Sequence, residues 1–388
     1  MKRRNFPVLV GLVALASVSA DCNARRAGSS APIPPQLPGA KPVIGVLTVP
    51  LSSESAVCET VAARAGLGAR GASCFSTFYF RWLEAAGARA LILPFDADAA
   101  TFSALLDGVN GVLLTGGELN ASGLDFSSPY MTAAKQVLDT AKAKTDAGVF
   151  FPVHGTCQGM QVISLLESQN ASVMSYGAFD SEGLSLPLEI SWDGHHSTRL
   201  FSANTAPADI VQTFMSENVT LNLHHDGVKP DAFEASSRLS TNYVLASINA
   251  DRKGSYFVST MEACNYPVTA TQWHPERPAQ EWKDGLDINH GETSIAANNY
   301  VATFFVGDAR RNNQTFSDPN LFAKYSVFSY PVHVRITGRA HPSPPLTLWK
   351  SPHPLTTTGS ARRTRPGRAT SGSCLVELGV VEKPSGRK

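Results

Sequence analysis

The chain has 388 residues, 43% of them hydrophobic and 17% charged, a balance that can bury a core and excludes global disorder. Thirty-three Lys and Arg against thirty-two Asp and Glu leave a formal charge of +1. This lacks the basic surplus that phosphate binding needs, so nucleic acid is not an expected partner, and six cysteines are too few for a small disulfide scaffold.

Residues 1–20 begin with Lys2, Arg3 and Arg4 and run apolar from Phe6 through Val18. Val18-Ser19-Ala20 has the small-x-small pattern that a signal peptidase reads, which predicts cleavage before Asp21. The apolar run is shorter than the roughly 20 residues a membrane span needs. A secretory signal is therefore expected, with no stable membrane anchor. Asn-x-Ser/Thr sequons at Asn120, Asn170, Asn218 and Asn313 agree with that route. The expected product is a glycoprotein, extracellular, lysosomal or vacuolar. Residues 21–40 contain a stretch rich in Arg, Ser and Pro and read as a flexible leader.

From Pro42 to Val49 the chain is a short apolar run and predicts a strand. Residues 78–86 have helical spacing, stopped by Gly87, and residues 90–94 form a second apolar strand. A helical stretch at 101–106 precedes a strand at 111–115, which ends on Gly116-Gly117. A long amphipathic helix over 131–147 precedes a strand at 149–153 and a helix over 158–166. Such apolar strands alternating with helices predict an α/β fold with a mostly parallel sheet covered on both faces. Ligands in such sheets sit at the carboxyl ends of the strands. The turns that end the strands are thus the places to look for chemistry.

One strand runs into His154-Gly155-Thr156-Cys157-Gln158-Gly159, and a helix follows at once. Gly-x-Cys-x-Gly between strand and helix is the cysteine form of a nucleophile elbow. Its glycines are expected to allow the tight turn and to hold Cys157 exposed at the tip. At a helix N-terminus the macrodipole and free N–H groups favour a thiolate, and the Gln158 amide is placed to stabilise an oxyanion. A buried structural cysteine is the alternative. Thr115-Gly116-Gly117-Glu118 ends the neighbouring strand, so the amides of Gly116 and Gly117 can complete the oxyanion hole; a plain turn suits them equally. In Gln272-Trp273-His274-Pro275-Glu276 a strand delivers His274, and Glu276 can hold its ring in one tautomer. Cys157, His274 and Glu276 together make a nucleophile, base and carboxylate set.

After about Pro331 the composition turns to Arg, Pro, Ser and Thr, and residues 332–388 read as a basic disordered tail. Of the other cysteines, Cys22, Cys58, Cys74, Cys264 and Cys374, the nearest in sequence are Cys58 and Cys74, but spacing does not fix the pairing. Zinc-type Cys/His spacing and a phosphate-cradling Gly-Lys loop are absent, so no metal or nucleotide is expected.

The order of these motifs resembles the class I glutamine amidotransferase-like superfamily and, within it, the γ-glutamyl hydrolase family. The narrower likeness lies in Tyr79-Phe80-Arg81-Trp82-Leu83-Glu84-Ala85-Ala86-Gly87, Asn110-Gly111-Val112-Leu113-Leu114-Thr115-Gly116-Gly117, Phe151-Pro152-Val153-His154-Gly155-Thr156-Cys157 and Glu281-Trp282. It implies a flavodoxin-like domain, bounded here at residues 41–318, a homodimer, and no cofactor. It also implies a poly-γ-glutamylated folate as substrate, Cys157 as nucleophile and His274 as general base and acid. His224, in Asn222-Leu223-His224-His225, matches a histidine near the family's substrate site; alone, the two histidines read as a polar loop pair. Gln161 departs from the family, which has glutamate there, as does Cys74, where an aromatic is typical. Arg81 and Arg89 are candidate basic groups for a polyanionic substrate. The competing readings are a glutaminase acting on another γ-glutamyl amide and an inactive binding protein; the intact Cys157, His274 and Glu276 count against the latter.

Overall fold

The central strands are apolar toward both faces, and helices cover both. In the computed structural model, which describes residues 33–50, 72–330, 332–337 and 374–382, β1 (Val43–Leu47) is buried at every position. It is flanked by β2 (Arg89–Leu93) and β3 (Gly111–Leu114), both parallel to it. β4 (Val153–Thr156) and β8 (Val268–Thr271) continue the parallel set. Beyond them β7 (Tyr256–Ala263), β6 (Tyr243–Ala250) and β5 (Glu189–Ile190) run antiparallel. The sheet order is β2-β1-β3-β4-β8-β7-β6-β5. Its parallel part has the flavodoxin-like order, with the strand order reversing between β1 and β3.

Side-chain alternation along β1 sends Ile44 and Val46 to one face and Val43 and Leu47 to the other. The first pair packs with Tyr79, Trp82 and Leu83 of α1 (Thr77–Ala85) and with Val301 and Phe305 of α5 (Glu292–Ala309). The second meets α2 (Ala99–Gly108), α3 (Pro129–Asp146) and α4 (Gln158–Ser168). Local capping fixes where helices begin: Asp98 accepts from the Thr101 N–H at 2.9 Å, and Ser128 caps α3 with Pro129 in its first turn.

Four features differ from the sequence expectation. Residues 33–40, the end of the stretch expected to be a flexible leader, are held to the C-terminus of α5: Leu37 N–H donates to Arg310 O at 2.9 Å, and Pro34 O accepts from Arg311 Nη1 at 2.6 Å. The folded unit passes residue 318, because α6 (Pro319–Tyr325) follows and Ser326 bridges to Leu91. Two parts of the expected tail are strands. Val332–Thr337 pairs with Cys374–Glu382, which pairs in turn with Ala72–Ser76, antiparallel throughout. Val332, Val334 and Ile336 alternate with polar residues, and residues 375–381 are rich in β-branched side chains. An average over a segment dominated by Arg, Pro and Ser conceals both runs. Finally, β4 starts four residues later than expected and ends three later, so that it includes His154, Gly155 and Thr156.

The signal segment 1–20, Cys22, Cys58 and residues 51–71 lie outside the described residues, as does the rest of 338–388 apart from Cys374–Glu382. Cys74 and Cys264 are each disulfide-bonded, whereas Cys157 is a free thiol. Among the described residues no helix is long and apolar enough to cross a membrane.

Candidate active site

β4 ends at Thr156, α4 starts at Gln158, and Cys157 makes the whole turn with φ 52° and ψ −110°. A positive φ is uncommon for a residue with a side chain. The surrounding main chain holds it there: Cys157 N–H donates to Thr271 O of β8 at 2.7 Å, and Cys157 O accepts from Met160 and Gln161. The glycines therefore serve close packing and not the turn. A Cβ on Gly159 would lie 2.2 Å from Leu114 O, and one on Gly155 would lie 2.8 Å from the Gly159 carbonyl. The Cys157 side chain is only 4% exposed. It is not displayed on a tip; it lines a cavity of about 740 Å³ at the carboxyl ends of β3, β4 and β8.

His274 stands three residues beyond β8, its N–H donating to Leu221 O at 2.8 Å. Its Nδ1 donates to Glu276 Oε1 at 2.7 Å, so Nδ1 carries the proton and Nε2 is left for Cys157. Nε2 has no partner at normal hydrogen-bond geometry among the described residues. The Cys157 thiol itself faces Leu223 O at 4.0 Å, and the loose approach of thiol and ring is of the kind seen before substrate binds. A Cβ on Gly116 would sit 3.0 Å from His274 Cε1, 3.4 Å from Cys157 Cβ and 2.7 Å from Tyr79 Oη. Nucleophile, imidazole and phenol thus converge over one glycine.

Burial disfavours charge on His274, but the Glu276 carboxylate and then the Cys157 thiolate outweigh it and raise its pKa to about 10. Burial likewise pushes Glu276 up, and His274 and Arg277 reverse this, lowering it to about 2. Glu276 is fully buried. Its second support is Arg277, whose Nε donates to Glu276 Oε1 at 3.0 Å while Nη1 donates to Glu281 Oε2 at 2.5 Å. The guanidinium also lies 5.2 Å from the centre of the Phe78 ring.

On the oxyanion side the expected residues separate. The Gly116 N–H is already engaged, donating to Tyr79 Oη at 2.8 Å. The amides of Gly117 and Gln158 have no protein acceptor among the described residues, and both residues line the cavity. The Gln158 side chain pairs with the main chain of Leu119, accepting its N–H at 3.3 Å and donating to its carbonyl at 2.7 Å. It thereby fixes the Gly116-Gly117 loop against α4. His224 also lines the cavity. Its ring meets Phe257 edge-on at 4.6 Å, and burial lowers its pKa to about 3.

The candidate arginines are not brought to this cavity. Arg81 is exposed on α1. Arg89 opens β2 at the amino end of the sheet, where it donates to Lys41 O at 3.0 Å and covers the Phe322 ring. The basic groups lining the cavity, besides histidines, are Arg277 and Lys283. Tyr79, Arg277 and Glu281 are site residues that sequence reasoning missed. Tyr79 hides in the apolar stripe of α1, but Arg277 had a signal: a cation directly after Glu276 and four residues before Glu281. Among the described residues no cluster of His, Cys, Asp and Glu could hold a metal ion.

Comparison with known proteins places this geometry in context. The Peptidase C26 family matches residues 42–276, a span that contains Cys157, His274 and Glu276. The chain is 30% identical over 310 residues to the γ-glutamyl hydrolase of Bos taurus, covering 80% of this chain and 90% of that one. It is 31% identical over 252 residues to the γ-glutamyl hydrolase of Homo sapiens, covering 65% and 76%. With γ-glutamyl hydrolase B of Dictyostelium discoideum it shares 29% identity over 291 residues, covering 74% and 78%.

Proposed function

The chain belongs to the peptidase C26 family, and we propose that it is a γ-glutamyl hydrolase that opens the γ-amide bonds of poly-γ-glutamylated folates through Cys157. The observation that carries the reading is the His274 ring, held by Glu276 on one side and presented to a strained Cys157 on the other.

In the first half-reaction the Cys157 thiolate attacks the γ-carbonyl carbon, and the carbonyl π pair moves onto oxygen. The amides of Gly117 and Gln158 receive that oxyanion. Tyr79 is placed to help: its oxygen accepts from Gly116, so its O–H proton is available to the cavity. Collapse breaks the C–N bond as His274 passes its proton to the leaving amine, giving a γ-glutamyl thioester. In the second half-reaction His274 takes a proton from water as the oxygen bonds to the acyl carbon. Collapse then expels the Cys157 thiolate and frees the new carboxylic acid. Glu276 does not accept the proton; it fixes the tautomer and offsets the imidazolium charge.

Purified protein should release glutamate or oligo-γ-glutamate from a pteroyl-γ-polyglutamate, and the Cys157→Ala variant should not. Equal release by both would remove the mechanism.

We extend the proposal to a secreted or lysosomal or vacuolar glycoprotein. The disulfide-bonded Cys74 and Cys264 suit an oxidising route, and all four sequon asparagines, Asn120, Asn170, Asn218 and Asn313, are exposed. A homodimer is part of the same proposal, on family resemblance, and sedimentation of the purified protein tests it.

A further inference from the structure

The four sequons differ in where the fold puts them. Asn120, in Asn120-Ala121-Ser122, lines the same cavity as Cys157, whereas Asn313 lines a separate cavity at the amino end of the sheet, and Asn170 and Asn218 line neither. Residues 120–122 are exposed, in the loop between β3 and α3. That loop holds its asparagine in place. On the near side Leu119 is buried, its main chain bonded to the Gln158 side chain at 3.3 and 2.7 Å, one residue from the nucleophile. On the far side the N–H of Leu124, also buried, donates to Asn120 O at 3.0 Å. The Asn120 side chain accepts from Ser122 N–H at 3.0 Å, Ser122 Oγ at 2.9 Å and Gly123 N–H at 3.0 Å. Main-chain N–H groups only donate, so the atom they reach is the amide oxygen. Nδ2 donates to no protein acceptor among the described residues. The oxygen therefore fixes the plane of the amide, and the nitrogen stays open to substitution.

Building on the secretory reading above, we propose that Asn120 carries an N-linked oligosaccharide that guards the mouth of the catalytic cavity, admitting slender soluble γ-glutamyl chains and turning away γ-glutamyl groups borne on bulky carriers such as folded proteins. In the transfer Asn120 Nδ2 bonds to C1 of an oligosaccharide carried on a lipid pyrophosphate. The C1–O bond breaks, the pyrophosphate leaves with its electron pair, and Nδ2 gives up one of its two protons to a base of the transferring enzyme. Discrimination then works by clash and not by contact. A branched, hydrated sugar chain does not fit beside substrate in a cavity of about 740 Å³. It sweeps the space outside, while its root stays fixed in the wall. A narrow chain threads past it end-on, but a γ-glutamyl group on a protein must bring that protein's surface to the rim. Bond making at Cys157 is untouched, so Asn120 acts on specificity alone, and only while it is modified.

The test reads access to Cys157 and needs no turnover. Protein secreted from a glycosylating eukaryotic cell should show Asn120 occupied in glycopeptide mass spectrometry. The folded protein is then treated with iodoacetamide or with a maleimide on a long polyethylene glycol, and loss of the unmodified Cys157 peptide gives each rate. Three forms are compared: the glycoprotein, the same protein trimmed to single sugars by an endoglycosidase, and Asn120→Asp. The variant keeps the accepting oxygen, lacks the nitrogen and loses this glycan alone. The ratio of bulky to small reagent cancels any change in thiolate reactivity. It should rise by about tenfold or more on trimming and in Asn120→Asp, the low end of steric discrimination in enzyme sites. An unchanged ratio on trimming overturns the gate whether or not Asn120→Asp folds, and so does a folded Asn120→Asp with the ratio of the glycoprotein. Asn120 bare while Asn170, Asn218 or Asn313 is occupied overturns the gate and leaves the secretory reading standing. All four bare removes both. Hydrolysis enters none of these readouts, so a failure of the hydrolase reading shows separately, as absent release of glutamate.

Discussion

The paired asparagines at one end of the parallel sheet and the paired histidines at the other treat their buried polar atoms in opposite ways. At the amino end Asn110 and Asn312 close a ring of bonds: Asn110 Nδ2 donates to Asn312 Oδ1 at 2.6 Å, and Asn312 Nδ2 donates to Asn110 O at 2.8 Å and to Phe150 O at 2.7 Å. Asn110 Oδ1 in turn accepts the Val43 N–H at 2.8 Å. At the carboxyl end His274 Nε2 and His224 Nε2 are buried without such partners. Each end has a cavity, of about 470 and 740 Å³ respectively, so concavity alone does not mark the site. An unsatisfied buried group costs about 1–3 kcal/mol. Gln314 Oε1 at the amino end is also buried without a partner among the described residues, but the asparagine ring beside it is closed; that closed ring, set against two open imidazole nitrogens at the other end, distinguishes a structural joint from a site for reaction.

The strongest way to break that contrast is at Cys157. Cys157→Ala should lower kcat by on the order of 10⁴-fold or more, since acyl transfer loses its nucleophile. The cavity wall should be unchanged, so folate polyglutamate should still bind. Retention of even a tenth of the activity would transfer the chemistry to another residue.

Next in size is Glu276→Gln, expected to cost on the order of 10²–10⁴-fold in kcat by freeing the His274 tautomer. This variant also has a pH signature. His274 is raised from 6.5 to about 10, so its ionic contribution to stability is complete below 6.5 and lost as pH rises through 10. Glu276 is lowered from 4.5 to about 2, so its contribution is complete above 4.5 and lost as pH falls through 2. The stability gap between the wild type and Glu276→Gln should therefore be widest between about pH 4.5 and 6.5 and should narrow on both sides. Urea unfolding across pH measures it; a gap that widens above pH 10 would contradict the assignment.

Tyr79→Phe is expected to be milder, about a hundredfold in kcat. It removes the acceptor of the Gly116 N–H as well as the phenolic proton, while the ring still fills its place in the core. A fall in kcat at constant KM assigns the hydroxyl to the transition state, whereas a rise in KM alone assigns it to binding.

These residues also show what can be read from one sequence. Cys157, His274 and Glu276 were legible because each sits beside a local punctuation mark: a glycine pair, a strand end and a proline. The parallel sheet was legible because strands buried on both faces leave continuous apolar runs, as in β1 and β3. Tyr79 and Gln158 were not legible in their full roles. Their partners, Gly116 and Leu119, lie 37 and 39 residues away in the chain, and no spacing rule connects them. The tail strands escaped for another reason, since composition was averaged over a segment in which two short runs carry the order. Arg89 misled because it lies beside a strand of the site's own sheet; sequence shows adjacency to a strand, but only the direction of β2 shows which end it occupies.

The smallest effect on catalysis is expected at the opposite end, and it sharpens the contrast. Asn312→Ala removes the side chain that accepts from Asn110 Nδ2 and donates to two carbonyls, leaving Asn110, Val43 and Phe150 with weakened networks. The cost should be about 1–3 kcal/mol of stability for each group left unsatisfied, visible as a lower midpoint in urea. Because this ring lies beyond the amino ends of β1 and β3, kcat/KM measured well below that midpoint should match the wild type. If activity falls before stability does, the two ends are coupled through the strands, and a satisfied polar network is no longer a guide to where chemistry is absent.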